Sequence, residues 1–421
     1  MNRKLTYLAA LAFIILGNAP ILLASDIWTL TTAPYNCWIQ IASSDDGGIL
    51  VATANVGSLY VSTNSGATWT AATNAPSDHW ICVCISADGS KMAAGIDGGS
   101  IYVSSDRGVT WNQTDTPANY WVSIACSADG GKLAAVAFSD GQNNSAPGQI
   151  YLSQNSGGIW VTPDETAQNS QYCRQFWLAI ASSSDGLKLV AVGDGSIYSS
   201  ADSGKTWSLT GAPNEDWFSM ASSTNGNMLV AVANGGPIYT SNDAGLVWKA
   251  ATNAPDAPWA SVTSSADGNK LAAVQWGGLI YTSDDAGMTW LQNGVPNTFL
   301  TAGIWGIASS KDGSKVMACG NSPYGGPIFL LQSIPALNIA QTSTNIMISW
   351  PFTASGFVLQ QTTDLTLQNW ADVATSPETM NGQNLMAFPS RTNNQFFRLL
   401  FPTGNPPILW ADTVPPLHRG F

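Results

Sequence analysis

The stretch Ser200-Ala-Asp-Ser-Gly-Lys-Thr-Trp207 decides how this chain is read, because the chain writes it six times. The other copies are STNSGATW (Ser62 to Trp69), SSDRGVTW (Ser104 to Trp111), SQNSGGIW (Ser153 to Trp160), SNDAGLVW (Ser241 to Trp248) and SDDAGMTW (Ser283 to Trp290). Each keeps Ser, then Asp or Asn two residues on, Gly four on and Trp seven on. The closing residues Trp69, Trp111, Trp160, Trp207, Trp248 and Trp290 follow one another at 42, 49, 47, 41 and 42 positions. Such a period marks a repeat array.

Four strand-like runs surround each copy. In the fourth repeat they are Trp177-Leu-Ala-Ile-Ala-Ser-Ser, Lys188-Leu-Val-Ala-Val, Gly195-Ser-Ile-Tyr-Ser and Ser208-Leu-Thr, with the turn Asp185-Gly186 after the first. Short β-rich runs divided by Asp-Gly and Gly-Gly turns, without a helical period, predict an antiparallel meander. Four strands in about 42 residues is the unit of a β-propeller blade. The opening strands begin at Trp38, Trp80, Trp121, Trp177, Trp217 and Trp259, with a variant copy at Ile304-Trp305. The expected fold is therefore all-β, a seven-bladed β-propeller. Its last blade lacks the turn and the Trp, whereas Ile27-Trp28-Thr-Leu-Thr-Thr-Ala-Pro34 matches a blade end such as Thr68 to Pro76. The N-terminal strand is expected to close the ring, with Trp28 in place of the missing Trp, which removes the edges an open array would expose.

Within the turn, Asp202 is placed to bond nearby amides, Gly204 to take a positive φ and Trp207 to pack on the blade. The pattern S-x-[DN]-x-G-x-x-W resembles the Asp-box, or bacterial neuraminidase repeat, of sialidases, sortilin-like receptors, photosystem II assembly factors and some glucan-cleaving enzymes. The resemblance spans about residues 26 to 333. It implies a structural role for Asn64, Asp106, Asn155, Asp202, Asp243 and Asp285, on the face opposite any ligand. It does not extend to sialidase activity, which in that family needs an arginine triad. The propeller holds only Arg107, inside an Asp-box, and Arg174, and lysine does not replace a bidentate guanidinium.

Composition narrows the classes further. The chain has 421 residues, 45% hydrophobic and 10% charged, with net charge −12. Scarce, scattered cations disfavour a nucleic-acid partner and an anionic membrane surface. Basic Asn2-Arg3-Lys4, the apolar run Leu5 to Leu16 and small Ala24-Ser25 have the layout of a secretory signal peptide over residues 1 to 25. The expected location is secreted or extracytoplasmic, with no transmembrane segment after cleavage. Six cysteines (Cys37, Cys82, Cys84, Cys126, Cys173, Cys319) permit disulfides in an exported chain, but several replace small core residues, as Cys84 does Ala42. With two histidines, His79 and His418, no metal site is expected, and no cofactor either.

The repeat is most broken before its fourth copy, by Ser139 to Pro147 and Pro163 to Phe176. Both insertions are expected on the face opposite the Asp-boxes, and repeat insertions tend to gather on a binding face. Asp140, Asn143, Asp164, Glu165, Tyr172 and Arg174 are the candidate ligand residues there, with the ligand over blades three and four. Trp276 is added because it stands where other blades have small residues such as Asn234 and Val56. The ring of opening tryptophans either stacks on sugars at the channel mouth or packs between blades; a feature of every repeat serves the repeat. A glycosidase would need two carboxylates across a cleft. Asp78, Asp97, Asp115, Asp140, Asp164, Glu165, Asp194, Glu215, Asp216 and Asp256 supply candidates, but no motif singles out a pair.

After Gln332 the runs Leu337-Asn-Ile, Asn345 to Trp350, Phe357 to Gln361, Trp370 to Val373, Leu385 to Phe388 and Phe396 to Phe401 predict a small β-sandwich over 334 to 402. It resembles fibronectin type III-like modules of exported bacterial proteins. Residues 403 to 421 read as a flexible tail. The functional expectation is a secreted, non-catalytic propeller that binds a glycan or an extracellular protein. An exported glycoside hydrolase or lyase is the alternative, and a structural or assembly factor the second.

Overall fold

The computed structural model describes residues 8–9, 12–13, 27–139, 146–163, 174–293, 303–321, 325–332, 337–341, 345–351, 358–363, 370–380, 383–389 and 396–400. Among them every regular element is a β-strand, and none is a helix long and apolar enough to cross a membrane. The chain divides into two compact units, Leu30–Gln332 and Met1–Thr29 with Ser333–Phe421.

In the first unit one meander recurs. Its first copy pairs Trp38–Ser43 with Leu50–Ala54, then Tyr60–Ser62, then Thr70–Ala71, all antiparallel. The same order restarts at Trp80, Asn119, Trp177, Trp217, Ala257 and Ile304. The final sheet runs Ile304–Ser309, Lys315–Gly320, Ile328–Gln332, and its fourth position belongs to the strand that ends at Leu30. Thr31 holds that join: its amide and its hydroxyl both donate to the Ile328 carbonyl, at 3.0 and 2.9 Å. Asn36 and Gly326 then exchange backbone bonds of 3.1 and 2.8 Å.

The innermost strands form a closed cycle, each touching the next, and Ile304–Ser309 touches Trp38–Ser43. A second cycle sits at one end of it. The backbone amides of Asp45, Ala87, Ala128, Ser184, Thr224, Ala266 and Lys311 each donate to the carbonyl of the next in that order, and Lys311 donates back to Asp45, all at 2.7 to 2.9 Å. These residues belong to the first-to-second strand turns, which carry their own repeat, Ser-x-[Asp/Asn]-Gly, at Ser44, Ser86, Ser127, Ser183, Ser223, Ser265 and Ser310. In each, the Ser hydroxyl donates to the Asp or Asn side chain two residues on, as Ser183 does to Asp185 at 2.6 Å. The Gly takes a left-handed φ, 65° at Gly186, which a side chain rarely adopts. Lysines at the start of second strands reach across to the next repeat: Lys132 donates to the Asp185 carbonyl at 2.8 Å and Lys315 to the Asp46 carbonyl at 3.1 Å.

The Asp-box turns lie at this same end. In the copy at Ser200, Asp202 accepts from the Ser200 hydroxyl (2.8 Å), the Thr206 amide (2.9 Å) and the Thr206 hydroxyl (2.7 Å), while the Trp207 indole donates to the Gly204 carbonyl (2.9 Å). Gly204 takes the expected positive φ, 84°, and the residue before it does so too: Ser203 at 61°, with Ser65, Arg107, Ser156, Ala244 and Ala286 in the other copies. The turn can hold a non-glycine residue there because the Asx and hydroxyl bonds fix it from both sides.

These bonds set an acid limit. Burial opposes ionisation of Asp202, but the bonds from Thr206 and Ser200 outweigh it and hold its pKa below the usual value; bonds from Ser90 and Ser86 draw Asp88 down to about 2. A group whose folded pKa is depressed adds stability above its unfolded pKa, and that stability is lost as pH falls through the folded value. The melting temperature is therefore expected to be level from pH 7 to about 5 and to fall between about pH 4 and 2. Asp202→Ala should cost about 0.5–2 kcal/mol in urea unfolding at pH 7. At pH 2 its deficit should shrink, and a deficit that does not change with pH would contradict the account.

The C-terminal residues form two sheets. One orders Asn338–Gln341, Asn345–Pro351, Gln383–Pro389 and Glu378–Met380; the other orders Ala371–Asp372, Val358–Thr362 and Phe396–Leu400. Ile346, Ile348, Trp350 and Met386 from the first meet Leu359, Phe397 and Leu399 from the second in one buried cluster.

Candidate functional site

The opening tryptophans do not form a surface. Trp38, Trp80, Trp121, Trp177, Trp217 and Trp259 are fully buried and pack on the preceding repeat: Trp80, for example, lies among Val51, Leu59 and Val61. The Asp-box Trp of the same repeat backs it, with Trp217 and Trp248 6.2 Å apart, and a Tyr meets its ring edge-on, as Tyr239 does at 5.1 Å. In the last repeat the residue that takes this place is Ile304, paired with Gly320 and fully buried, so Trp305 is freed to face outward.

At the end of the inner strands away from the Asp-boxes, backbone bonds define a rim. In six repeats a residue at or just past the core pairing of the second strand donates to the residue before the inner Trp, or before Ile304 in its place: Asn55 to Cys37, Asp97 to His79, Phe138 to Tyr120, Asn234 to Asp216, Trp276 to Pro258 and Asn321 to Gly303. This register puts Asn55, not Val56, in the place of Trp276. Inside the rim, the residue after each inner Trp is apolar: Ile39, Ile81, Val122, Leu178, Phe218 and Ala260, with Trp305 beside Ile304.

Trp276 is 40% exposed and Trp305 37%. Their ring centroids are 5.0 Å apart at 36°, and Phe218 meets Trp276 edge-on at 5.4 Å. Two features fix the Trp276 ring: its indole donates to the Trp259 carbonyl at 3.2 Å, and the turn after it is closed by the bonds Gly278 to Gln275 (2.8 Å) and Gln275 to Leu279 (2.9 Å). The result is a preformed aromatic platform of the kind that stacks on a planar or cationic group.

A second aromatic pair, Phe138 and Phe176 at 5.2 Å, stands on the rim between the third and fourth repeats, next to the two insertions. Of the residues expected to bind there, Asp140, Asn143, Asp164, Glu165 and Tyr172 lie outside the described residues. Arg174 is exposed and, in the short strand Arg174–Gln175, pairs with Gln149 of Gly148–Ser153. The rim carboxylates have partners: Asp216 accepts from Asn234 (3.0 Å), Glu215 from the Tyr239 hydroxyl (2.8 Å), Asp78 from the His79 amide (2.8 Å) and Asp194 from the Phe176 amide (3.4 Å). No cluster of three metal-ligating side chains occurs among the described residues.

Two cavities lie at the Asp-box end. One of 180 Å³ lies within the turn cycle, lined by Ser43, Ser182, Ser222, Ser264 and Ser309. Another of 420 Å³ opens between the second and third repeats beside Cys84, Cys126 and Lys91, whose ammonium already bonds Ser156 at 3.2 Å. Cys82, Cys84, Cys126 and Cys319 are free thiols, and burial pushes Cys82 and Cys319 up to about 12, as suits core fillers.

The comparisons with known proteins speak to the fold. YCF48 from Cyanidioschyzon merolae superposes with a TM-score of 0.56 at 14% identity, over 73% of this chain and 98% of its own. YCF48 bound to a D1 peptide gives 0.55 at 16% identity, over 74% and 98%. The β-propeller domain of Cps50 (Swd1) from Myceliophteria thermophila gives 0.56 at 14%, over 73% and 99%. The fold is a β-propeller. No protein-family model matches the chain, and no curated protein matches its sequence. The aromatic platform therefore sits at one mouth of a propeller, opposite the Asp-box turns.

Sequence reasoning picked out Trp276 and missed Phe218, Trp305, Phe138 and Phe176. The signal was available: aligning the residue after each inner Trp sets Phe218 and Trp305 apart from Ile39, Ile81, Val122, Leu178 and Ala260.

Proposed function

We propose that this chain is an exported, non-catalytic binding protein: a seven-bladed Asp-box propeller, closed by its N-terminal strand, followed by a fibronectin type III-like sandwich. The closed cycles of strands and turn bonds support the blade count, and the shared core of the two C-terminal sheets supports the sandwich. The partner, a glycan or a protein segment, docks at the mouth opposite the Asp-boxes. One observation carries this reading: Trp276, Trp305 and Phe218 form an exposed platform at positions where the other repeats, Phe138 of the third apart, carry small, polar or aliphatic residues. Exposed aromatic side chains that the fold does not need are the usual anchors of an interface. YCF48, which shares the fold, has been solved with a peptide bound, so a protein segment is a natural occupant.

The test compares Trp276→Ala with Arg174→Ala in capture of partners from the native extracellular milieu. Trp276→Ala should reduce capture at least tenfold with the melting temperature unchanged, because its half-exposed ring contributes little to the core. Full capture by Trp276→Ala with loss in Arg174→Ala would move the site to the insertions over blades three and four.

A further inference from the structure

Resting on the reading that the mouth binds a partner, we infer that this partner is a cationic protein segment, whose arginine or lysine side chain lies on the Trp276–Trp305 platform within an acidic rim.

The fold separates charge between its two ends. Every lysine from Leu30 to Gln332 is at the Asp-box end. Lys91, Lys132, Lys188 and Lys315 reach the neighbouring repeat's turns, and Lys311 pairs with Asp45 at 2.7 Å. Lys270 packs on the turn at Gly313, Lys205 is inside an Asp-box, and Lys249 follows the Asp-box Trp248. The mouth is left with Asp78, Asp97, Asp194, Glu215, Asp216 and Asp256, set among the described residues against Arg174 and His79 alone.

Glu215, Asp216 and Asp256 stand in the repeats that carry Phe218 and Trp276, while Asp78, Asp97 and Asp194 stand on the rims of the second and fourth repeats. Asp216 precedes Trp217 and Phe218, and Phe218 touches Trp276. Asp97, Asp194 and Asp216 are exposed and form no ion pair among the described residues, so they keep a negative field at the opening. Tyr239 feels that field: burial, its bond to Glu215 and the charge of Asp256 push its hydroxyl up to about 12.

A guanidinium or ammonium meeting this mouth gains twice. The indole faces attract a cation through their quadrupole, and the carboxylates steer it in. The apolar inner ring of Ile39, Ile81, Val122, Leu178 and Phe218 accepts the aliphatic stem or a neighbouring apolar side chain. A neutral sugar would use the platform but nothing of the rim's charge, and an anionic partner would be repelled.

Fluorescence anisotropy on the full chain tests this with three probes: a labelled octapeptide of alternating Arg and Ala, the same peptide with Glu for Arg, and labelled cellohexaose. The Arg peptide should bind and the Glu peptide should not. Trp276→Ala should weaken the Arg peptide about tenfold. The double change Asp194→Asn and Asp216→Asn should weaken it about three- to fivefold at low salt and reduce its salt dependence. Equal binding of the Arg and Glu peptides, indifference of the Arg peptide to both variants, or no binding by any probe overturns the inference. Cellohexaose binding that is lost in Trp276→Ala, without Arg-peptide binding, overturns the cationic partner while leaving the mouth as the site.

Discussion

Removal of residues 26 to 34 is expected to abolish the single cooperative unfolding transition of the propeller. Thr31 to Pro34 join the last sheet to the first. Thr31 donates twice to Ile328, and Thr32 donates through its amide to the Gly66 carbonyl (3.3 Å) and through its hydroxyl to the Ala67 carbonyl (2.8 Å), in the first Asp-box. Ala33 is buried with Trp38, Met317, Ile328 and Leu330, a cluster drawn from both sheets. Without the segment, Ile328–Gln332 becomes an open edge with unpaired backbone groups, a template for pairing with another chain. The four hydrogen bonds of Thr31 and Thr32 at about 1 kcal/mol each, together with the exposed cluster, amount to roughly 5 kcal/mol before the pairing of the strand that ends at Leu30 is counted, a large part of the 5–15 kcal/mol that holds a typical domain. Calorimetry should show a broadened, lowered transition, and size-exclusion chromatography should show self-association. A truncated protein that melts as one transition at the parent's temperature would refute closure.

That closure was legible because the end of a repeat has a recognisable grammar, and Ile27 to Pro34 obeys it. The all-β propeller fold and the strand order within each repeat were readable for the same reason: each rests on local turn chemistry or on strand periodicity, which the sequence writes out several times over. The turn cycle from Asp45 to Lys311 was not readable. It is made of main-chain groups, so the side chains at Ala87, Ala128, Ser184, Thr224, Ala266 and Lys311 share no type that would announce it.

The candidate site was half legible, and for a physical reason. Trp276 stood out because it breaks a pattern, but Trp305 was masked by its neighbour: a Trp near the start of an inner strand looks like the buried Trp of every other repeat. Only the pairing of Ile304 with Gly320, with the irregularity in register between Ile304 and Gly306, shows which of the two residues faces inward. A one-residue slip exchanges core and surface in a strand, and sequence alone carries no ruler that fine.

The same distinction sets the second large effect. Trp217→Ala is expected to destabilise the propeller by about 3–5 kcal/mol, the range for emptying an aromatic site in a packed core. Trp217 is 1% exposed. Its ring is enclosed by Val190, Val192, Ile197 and Met220 from two adjoining repeats, backed by Trp248 and edged by Tyr239, and its indole donates to the Pro213 carbonyl at 3.3 Å. Truncation would leave a cavity between two sheets that cannot collapse, since the cycle of inner strands fixes their spacing on both sides, and it would orphan the Pro213 carbonyl. Urea unfolding should therefore show a midpoint lowered at unchanged slope, with Phe218, one residue on, still presented at the mouth. Partner binding measured well below the new midpoint should be retained, the reverse of Trp276→Ala, which should keep stability and lose binding. If Trp217→Ala instead unfolds like the parent and fails to bind, the buried tryptophan ring is itself the recognition surface, and the platform at Trp276 and Trp305 is not.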